Sequence, residues 1–269
     1  MTTRPVPLSV VVVSFNSAEY LPACLGSLQQ SPRWEETLEL FVVDNASTDG
    51  SADLVARDFP RACLLRNTEN VGYARAVNQA WRQATGDALL VLNPDIVVRG
   101  DALAVLRGHL ASHPDVGLVA PRLLNPDGTL QYSCRRHYTL ATYLLRRTPL
   151  SRLFPDHPIV RRHLMADWDH AELREVDWAL GAALMMPRTA LGATVMDERY
   201  FIYFEDVDLC VRLRRQGWRI VYHPAAVMVH HHRRASADGG WNRRKYEHLK
   251  SWIKFNLKHA GRPLTPVSR

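Results

Sequence analysis

Five polar residues at the ends of apolar runs are the side chains of this chain best suited to chemistry. They are Asp44, Asn93, Asp95, Asp206 and His230. Asp95 follows the apolar run 88–92, and Pro94 must end a central strand there because proline has no amide hydrogen. Ligands of open α/β sheets bind at the carboxyl ends of the strands. The sequence therefore predicts a pocket around the carboxylate of Asp95.

The residue types in this pocket suit metal binding and proton transfer. Asp95 and His230 offer ligands for a divalent cation such as Mg²⁺ or Mn²⁺, with diphosphate oxygens in its other positions. Asp206 begins a predicted helix over 205–216 and is placed to act as a general base. A simpler interpretation remains for each. Asp206 is also a common kind of first-turn helix acid, and the histidines at 230–232 also fit a solvated loop.

Strands alternate with helices along the first half of the chain. Apolar runs predict strands at 8–13, 38–43, 62–65, 88–92 and 116–120. The helices predicted between them cover 18–30, 51–58, 73–84 and 100–112. This alternation predicts an α/β fold with a doubly wound, mostly parallel central sheet. Residues 14–17 are predicted to cap the first helix.

The second half of the chain is less regular. Residues 137–174 have no clean period, and we interpret them as an insertion with helical pieces. Two strands are predicted at 219–223 and 226–229. No run reaches the roughly 18 apolar residues of a membrane span, and the N-terminus lacks a signal-peptide pattern. The four cysteines lack CxxC spacing, which favours a reducing cytoplasm over a disulfide framework or a zinc site.

The net charge of +7 is concentrated at one end of the chain. Residues 230–269 hold ten Lys or Arg against two acids, whereas residues 1–229 hold 24 against 25. Helical spacing predicts a basic amphipathic C-terminal helix over 240–260 that suits a membrane surface, or that packs on the domain with a solvated basic face. Its predicted apolar side comprises Tyr246, Leu249, Trp252, Ile253 and Leu257.

Several common motifs are absent from the sequence. No GxGxxG follows the first strand, and no GxxxxGK[ST] or GxSxG occurs, so dinucleotide-binding, P-loop and serine-hydrolase interpretations lose their signatures. The basic residues follow no known nucleic-acid motif, and residues 1–229 are not basic, so nucleic acid is not an expected partner.

Five segments carry a family resemblance when taken together and in order. They are VVSFN at 12–16, VVDNASTDGS at 42–51, NVGYARAVN at 70–78, LNPD at 92–95 and FEDVDLCVRL at 204–213. The chain resembles family 2 glycosyltransferases over about residues 8–232, most strongly their bacterial rhamnosyltransferase-like branch. The resemblance implies a GT-A fold, a nucleoside-diphosphate sugar at the carboxyl edge of the sheet, and transfer with inversion.

The resemblance also implies a division of the chain. Residues 1–232 would form the glycosyltransferase domain, with a nucleotide-binding half at 1–121 and an acceptor-binding half at 122–232. Residues 233–269 would form the basic C-terminal tail. From its irregular sequence alone, we interpret the segment 137–174 as lying near the acceptor or at an oligomer contact, so a homodimer is one expectation.

The same resemblance implies roles for residues on the donor side. Ser14 and Asn16 would line the nucleoside pocket, and Asp44 would hydrogen-bond the base. Gly72 and Asn78 would lie near the ribose and phosphates of the nucleotide.

The remaining roles concern the metal and the acceptor. The segment 93–95 occupies the place of the family's Asp-x-Asp metal motif, with Asn93 beside the donor in place of the first acid, which leaves Asp95 as the one carboxylate. His230 matches a histidine that completes the metal shell. Asp206 matches the aspartate that deprotonates the acceptor hydroxyl. On the acceptor side the matching residues are Trp178, Gly181 and Glu205.

These implications lead to an inverting, metal-assisted glycosyltransferase. Its donor is expected to be dTDP-rhamnose, and its acceptor a cell-envelope glycan or lipid-linked saccharide. We expect a cytoplasmic protein, peripheral at the inner face of the cytoplasmic membrane. A sugar-1-phosphate nucleotidyltransferase is one alternative, although no glycine-rich, Arg/Lys-bearing loop follows the first strand. A non-catalytic module that binds nucleotide sugars or polyanions is the other.

Overall fold

A computed structural model describes residues 8–31, 38–148, 150–231 and 243–260. Its strands are β1 (Leu8–Ser14), β2 (Leu38–Asp44), β3 (Cys63–Arg66), β4 (Ala88–Leu92), β5 (Ile96–Val98), β6 (Val116–Leu124), β7 (Leu130–Gln131), β8 (Cys134–Arg135), β9 (Arg174–Glu175), β10 (Trp178–Ala179), β11 (Ala183–Pro187) and β12 (Arg219–His230). Its α-helices are α1 (Leu21–Gln29), α2 (Ser51–Asp58), α3 (Tyr73–Trp81), α4 (Ala102–Ser112), α5 (Leu140–Arg147), α6 (Leu150–Leu153), α7 (Pro158–Leu164), α8 (Glu205–Arg215) and α9 (Arg243–His259).

The main sheet is mixed and has the order β3-β2-β1-β4-β11-β6-β12-β5. The first four of these strands pair in parallel, and β11 enters antiparallel between β4 and β6. The α/β fold with a mostly parallel sheet is thereby confirmed. Because Ser14 lies opposite Asp44 in the β1–β2 register, the carboxyl ends of these strands meet at one edge.

Both faces of the sheet are covered by helices and loops. Along β1, Val11 and Val13 belong to one apolar cluster, whereas Val10 and Val12 belong to the other. This double burial explains why the strand is a continuous apolar run rather than an alternating one.

Several predicted boundaries need correction. The strands predicted at 219–223 and 226–229 are one strand, β12, whose register shifts between His223 and Val227 where Pro224 interrupts the pairing. The prediction that residues 14–17 cap the first helix is wrong. Helix α1 begins at Leu21, and Tyr20 caps it without a side-chain hydrogen bond.

Helix α9 packs on the domain through a face that differs from its predicted apolar side. The buried residues are His248, Ser251, Phe255 and His259. Phe255 is part of the larger apolar core cluster, and Ser251 donates a hydrogen bond to the Ile202 carbonyl. Parts of the predicted tail, at 232–242 and 261–269, lie outside the described residues.

The carboxylate of Asp208 joins helix α9 to helix α8. Lys258 Nζ lies 2.6 Å from Asp208 Oδ1 and also 2.6 Å from Asp197 Oδ2. His259 Nε2 lies 2.9 Å from Asp208 Oδ1, and Arg212 Nε donates to Oδ2 at 2.9 Å. Since Asp208 is fully buried, these groups compensate a charge that water cannot reach.

We expect Lys258→Met to lower the free energy of unfolding by about 2 kcal/mol. The loss is smaller than for an isolated buried pair because Arg212 still compensates Asp208. Lys250→Met is the matched control, since Lys250 is exposed, its Nζ lies as far as 3.7 Å from Glu247 Oε2, and the pair should contribute about 0–1 kcal/mol. Urea unfolding measures both variants, and equal losses would contradict the role given to Asp208.

Candidate active site

Sheet pairing brings Asp95 beside His230. Strand β5 runs antiparallel to β12 with Ile96 opposite His230, and the His231 amide donates to the Asp95 carbonyl at 2.9 Å. His230 Nε2 consequently lies 3.3 Å from Asp95 Oδ1. Residues 93–95 connect β4 in the interior of the sheet to β5 at its end, so they run along the carboxyl edge where ligands of such sheets bind.

Gln131 sets the proton position on His230. Its side-chain oxygen lies 2.6 Å from His230 Nδ1, so that nitrogen carries the hydrogen when the ring is neutral. The lone pair is then on Nε2, the atom that faces the Asp95 carboxylate. A histidine held by such an outer partner is typical of metal ligands.

The Asp95–His230 pair fits a divalent cation that substrate oxygens also bind. A carboxylate oxygen and an imidazole nitrogen are suitable ligands for Mn²⁺, and the carboxylate suits Mg²⁺. The described part of the chain contains no group of three or more His, Cys, Asp or Glu able to hold a metal. Asn93 brings no charge, so two protein ligands remain.

Asp206 is fixed in the first turn of helix α8 by backbone amides. Its Oδ2 accepts from the Gly181 amide at 2.9 Å, and its Oδ1 accepts from the Val207 amide at 2.8 Å. A Cβ atom at position 181 would lie 3.3 Å from Asp206 Cβ, so glycine permits this close approach. Tyr203 and Phe204 both have a φ of 68°, an unusual conformation for aromatic residues that turns the chain into the helix.

The two adjacent carboxyl groups have different environments. Burial raises the pKa of Asp206. Burial also raises the pKa of Glu205 well above its usual range, and the charge of Asp206 raises the pKa of Glu205 further. Asp206 accepts two amide hydrogen bonds, whereas Glu205 Oε2 is buried with no hydrogen-bond partner among the described residues. The negative charge therefore resides on Asp206, and Glu205 holds the proton.

Tyr73 connects the segment at Gly181, which binds Asp206, to the segment that carries Asp95. Its hydroxyl lies 3.0 Å from the Gly181 carbonyl and 3.2 Å from Asn93 Oδ1. Burial raises the pKa of Tyr73 well above its usual range, and the charges of Glu205, Asp206 and Asp95 add to this. The phenol therefore stays protonated and can donate a hydrogen bond within the site.

Sequence reasoning missed Tyr73 and Gln131. A signal was present for each, because Tyr73 follows Gly72 inside the segment 70–78, and Gln131 follows the Asn-Pro-Asp-Gly turn at 125–128. Gly72 has a φ of 88°, and a Cβ there would come 2.7 Å from the Phe201 carbonyl oxygen. This glycine lets the start of helix α3 approach residue 201 and so positions Tyr73.

The predicted nucleoside residues lie together at the ends of β1 and β2. The Ser14 hydroxyl and Asp44 Oδ1 are both buried and have no hydrogen-bond partner in the part of the chain that the structure describes. Asp44 Oδ2 accepts from the Ser47 amide at 2.9 Å. Asn16 is exposed, with a φ of 51°, and its Oδ1 accepts from the Thr48 amide at 2.8 Å. A carboxylate oxygen without a donor fits an imide N–H of a pyrimidine base.

Two predicted site residues have structural roles instead. Asn78 is fully buried, and its amide accepts from the Val195 and Met196 amides and donates to Met196 and Glu198, so no group is left for a nucleotide. Trp178 is buried, and its indole donates to the Arg136 carbonyl at 3.0 Å. Its indole is thus engaged in a backbone contact that supports the segment before Gly181.

Comparisons with known proteins agree with this geometry. The family model for glycosyl transferase family 2 matches residues 9–166. The N-acetylglucosaminyl-diphospho-decaprenol L-rhamnosyltransferase of Mycobacterium tuberculosis is 30% identical over 94% of this chain and 85% of its own. The rhamnosyltransferase WbbL of Escherichia coli is 25% identical over 91% of each chain.

A solved structure supports the fold. The mannosyltransferase PcManGT of Pyrobaculum calidifontis, in complex with GDP-Man and Mn²⁺, superposes with a TM-score of 0.59 and 21% identity, covering 95% of this chain and 71% of that one. The predicted GT-A fold is thereby confirmed. The family match and the 30% identical relative show that this chain belongs to glycosyltransferase family 2 and is a glycosyltransferase of its rhamnosyltransferase-like branch.

Proposed function

We propose that this enzyme transfers rhamnose from dTDP-rhamnose, with inversion, to a hydroxyl of a lipid-linked saccharide. Two relatives named as rhamnosyltransferases support the sugar. The acceptor follows the name of the mycobacterial relative, which specifies a diphospho-decaprenol carrier. The observation that carries the mechanism is the fixed Asp206 carboxylate, joined through Gly181 and Tyr73 to the segment that holds Asp95.

Asp206 acts as the general base in this proposal. It removes the proton from the acceptor hydroxyl as that oxygen attacks the anomeric carbon, while the bond to the nucleoside diphosphate breaks on the opposite face. The raised pKa of Asp206 strengthens it as a base near neutral pH. The buried, protonated Glu205 places no second negative charge beside the attacking oxygen, and it can donate a hydrogen bond to the acceptor.

The donor would lie along the carboxyl edge of the sheet. Ser14 and Asp44 would bind the thymine base, and Asn16 would stand at the mouth of that pocket. Asp95 and His230 would hold a divalent cation, and such a cation neutralises the charge that develops on a departing diphosphate. Asn93, held beside Tyr73, would face the sugar and its diphosphate.

We also propose that helix α9 touches an anionic membrane surface. Tyr246, Ile253 and Leu257, termed here the α9 stripe, are exposed, with Leu257 74% exposed, because the helix docks through a different face. The excess of basic residues in 230–269 complements an anionic lipid surface. No described helix is long and apolar enough to span a membrane. A surface contact of this kind would bring the enzyme to a lipid-linked acceptor.

Asp206→Asn should lower kcat by about 10³-fold, because the amide cannot accept the proton. The affinity for dTDP-rhamnose should change by less than about twofold, since Asp206 faces the acceptor in this proposal. Steady-state kinetics and calorimetry measure kcat and the donor affinity.

The rate of the wild-type enzyme should rise with pH as Asp206 loses its proton. Glu205→Gln is the matched variant and should retain more activity. An active Asp206→Asn with an inactive Glu205→Gln would reverse the two roles.

Asp95→Asn should abolish the metal-dependent part of donor binding and leave the contribution of the nucleoside pocket. Gln131→Leu should weaken Mn²⁺ affinity by about 10- to 100-fold, because the ring of His230 loses the partner that fixes its tautomer. Calorimetric titration of the enzyme with the donor, in the presence of Mn²⁺ or of EDTA, separates the metal-dependent part of donor binding from the contribution of the nucleoside pocket. Donor binding that is equally strong with EDTA would overturn the metal proposal.

Replacing all three residues of the α9 stripe by serine should reduce binding to phosphatidylglycerol vesicles by about tenfold or more, since each exposed apolar side chain adds to membrane affinity. The change should not alter folding, because these side chains are exposed. Asn256→Ser is the control, as Asn256 is exposed on the same helix. Unchanged co-sedimentation of the triple variant with the vesicles would exclude the stripe as the contact.

A further inference from the structure

Three arginines gather beside the active site without an acidic partner among the described residues. They are Arg135 in β8, and Arg146 and Arg147 at the end of α5. Arg135 is only 7% exposed, Arg146 is partly exposed and Arg147 is exposed. The set therefore leads from solvent into the interior. We call these three residues the arginine cluster.

The arginine cluster is left with uncompensated charge. Arg135 Nε is buried without a hydrogen-bond partner among the described residues, and Nη1 donates only to the Cys134 carbonyl. Burial and the charge of Arg146 lower the pKa of Arg135 to about 9. Buried charges in folded proteins are normally paired. In this same chain Arg212 has Asp208 and Arg214 has Glu175.

The partner of Arg146 is neutral. Its Nη1 lies 3.0 Å from His163 Nε2. Burial, together with the charges of Arg146 and Arg135, lowers the pKa of His163 to about 2, so this ring accepts a hydrogen bond but brings no negative charge. Arg146 Nη1 also lies 3.5 Å from the Tyr138 hydroxyl, which accepts its hydrogen bond. No acidic side chain among the described residues therefore forms an ion pair with the cluster, and Asp206 acts on Arg135 through its charge alone.

The position of the cluster is on the acceptor side of the base. Arg135 pairs with Trp178 across β8 and β10, and Gly181, which binds Asp206, follows three residues later. The charge of Arg135 acts on Asp206 and opposes the effect of burial on its pKa. An anion bound here would lie beside the acceptor hydroxyl, whereas the diphosphate of the donor is proposed at Asp95 and His230.

Exposed apolar side chains lie next to the cluster along the chain. On α5, Leu140 and Leu144 are exposed, and Leu153 on the adjoining α6 is 70% exposed. Helix α5 also contacts helix α9, where Tyr143 stacks on Trp252 at 4.2 Å. A ligand that combines a compact anionic group with a hydrocarbon chain matches a charged surface, the arginine cluster, that is followed by an apolar surface on α5 and α6.

We propose that the arginine cluster binds the diphosphate that links the acceptor sugar to its lipid. Guanidinium groups bind phosphate oxygens through paired, charge-assisted hydrogen bonds. Bound in this way, the diphosphate would hold the acceptor sugar at Asp206 and direct the hydrocarbon chain along α5 and α6. This inference rests on the proposed function, since it assumes a lipid-linked acceptor.

The kinetic test compares two synthetic acceptors. In one, N-acetylglucosamine is joined to a decyl chain through a diphosphate, and in the other it is joined to the chain directly. The wild type should prefer the first. Arg146→Gln should lower that preference, measured as the ratio of the two kcat/KM values, by about tenfold or more. Arg161→Gln is the matched control, because Arg161 is exposed and paired with Asp167, and it should keep the wild-type ratio.

A binding test decides the proposal even when neither acceptor is used. Inorganic pyrophosphate, without donor or divalent cation, should bind the wild type and Asp95→Asn alike, and Arg146→Gln more weakly by about tenfold or more. The melting temperature of unliganded Arg146→Gln should not fall, because the change relieves repulsion with Arg135. Pyrophosphate binding that survives in Arg146→Gln would overturn the site. The site would also be overturned if Arg146→Gln lost binding to phosphatidylglycerol vesicles but kept pyrophosphate binding. That result would assign the cluster to lipid headgroups. Absence of transfer to either acceptor, with these binding results intact, would count against the proposed acceptor only.

Discussion

The hydrogen bond from the Gly181 amide to Asp206 is the contact on which the geometry of this site depends. It joins the first turn of α8 to the segment before β11, and β11 pairs with β4, which leads into Asn93 and Asp95. Tyr73 adds a second connection, because its hydroxyl reaches both the Gly181 carbonyl and Asn93. The carboxylates of Asp206 and Asp95 are therefore positioned by one continuous set of backbone and side-chain contacts.

Sheet topology supplies the other half of the site. In a purely parallel sheet, Asp95 would follow strand β4 and no strand pairing would bring it near residue 230. Strand β5 instead leaves β4 and pairs antiparallel with β12, which sets His230 opposite the residue after Asp95. The fold thereby brings together two residues that are 135 positions apart. Gln131 lies on β7, which pairs with β6, and its side chain contacts His230.

Much of the fold and part of the site could be predicted from the sequence. The buried runs at 8–13 and 88–92 are strands because continuous apolar segments mark doubly covered sheets, and Pro94 ends β4 as expected. The proximity of Asp95 and His230 was predicted from the resemblance of residues 93–95 and His230 to the family's metal-binding positions. Tyr73 and Asn78 could not be distinguished, since both lie on α3 and only tertiary contacts show that one faces the site and the other clamps residues 195–198. The docking face of α9 was unpredictable for a related reason. The buried His259 and the partly exposed Lys258 are held by Asp208, a contact that apolar periodicity does not register.

The attachment of α9 to α8 has a consequence for how the protein is made. Asp208 precedes its partner Lys258 by 50 residues. At about 5–20 residues per second of synthesis, several seconds separate the two. During that interval Asp208 is buried with Arg212 but without Lys258 and His259, so the strands and helices that precede α8 can assemble before α8 is fully secured. The order of synthesis thus makes the attachment of helix α8, which carries Asp206, a late step of folding.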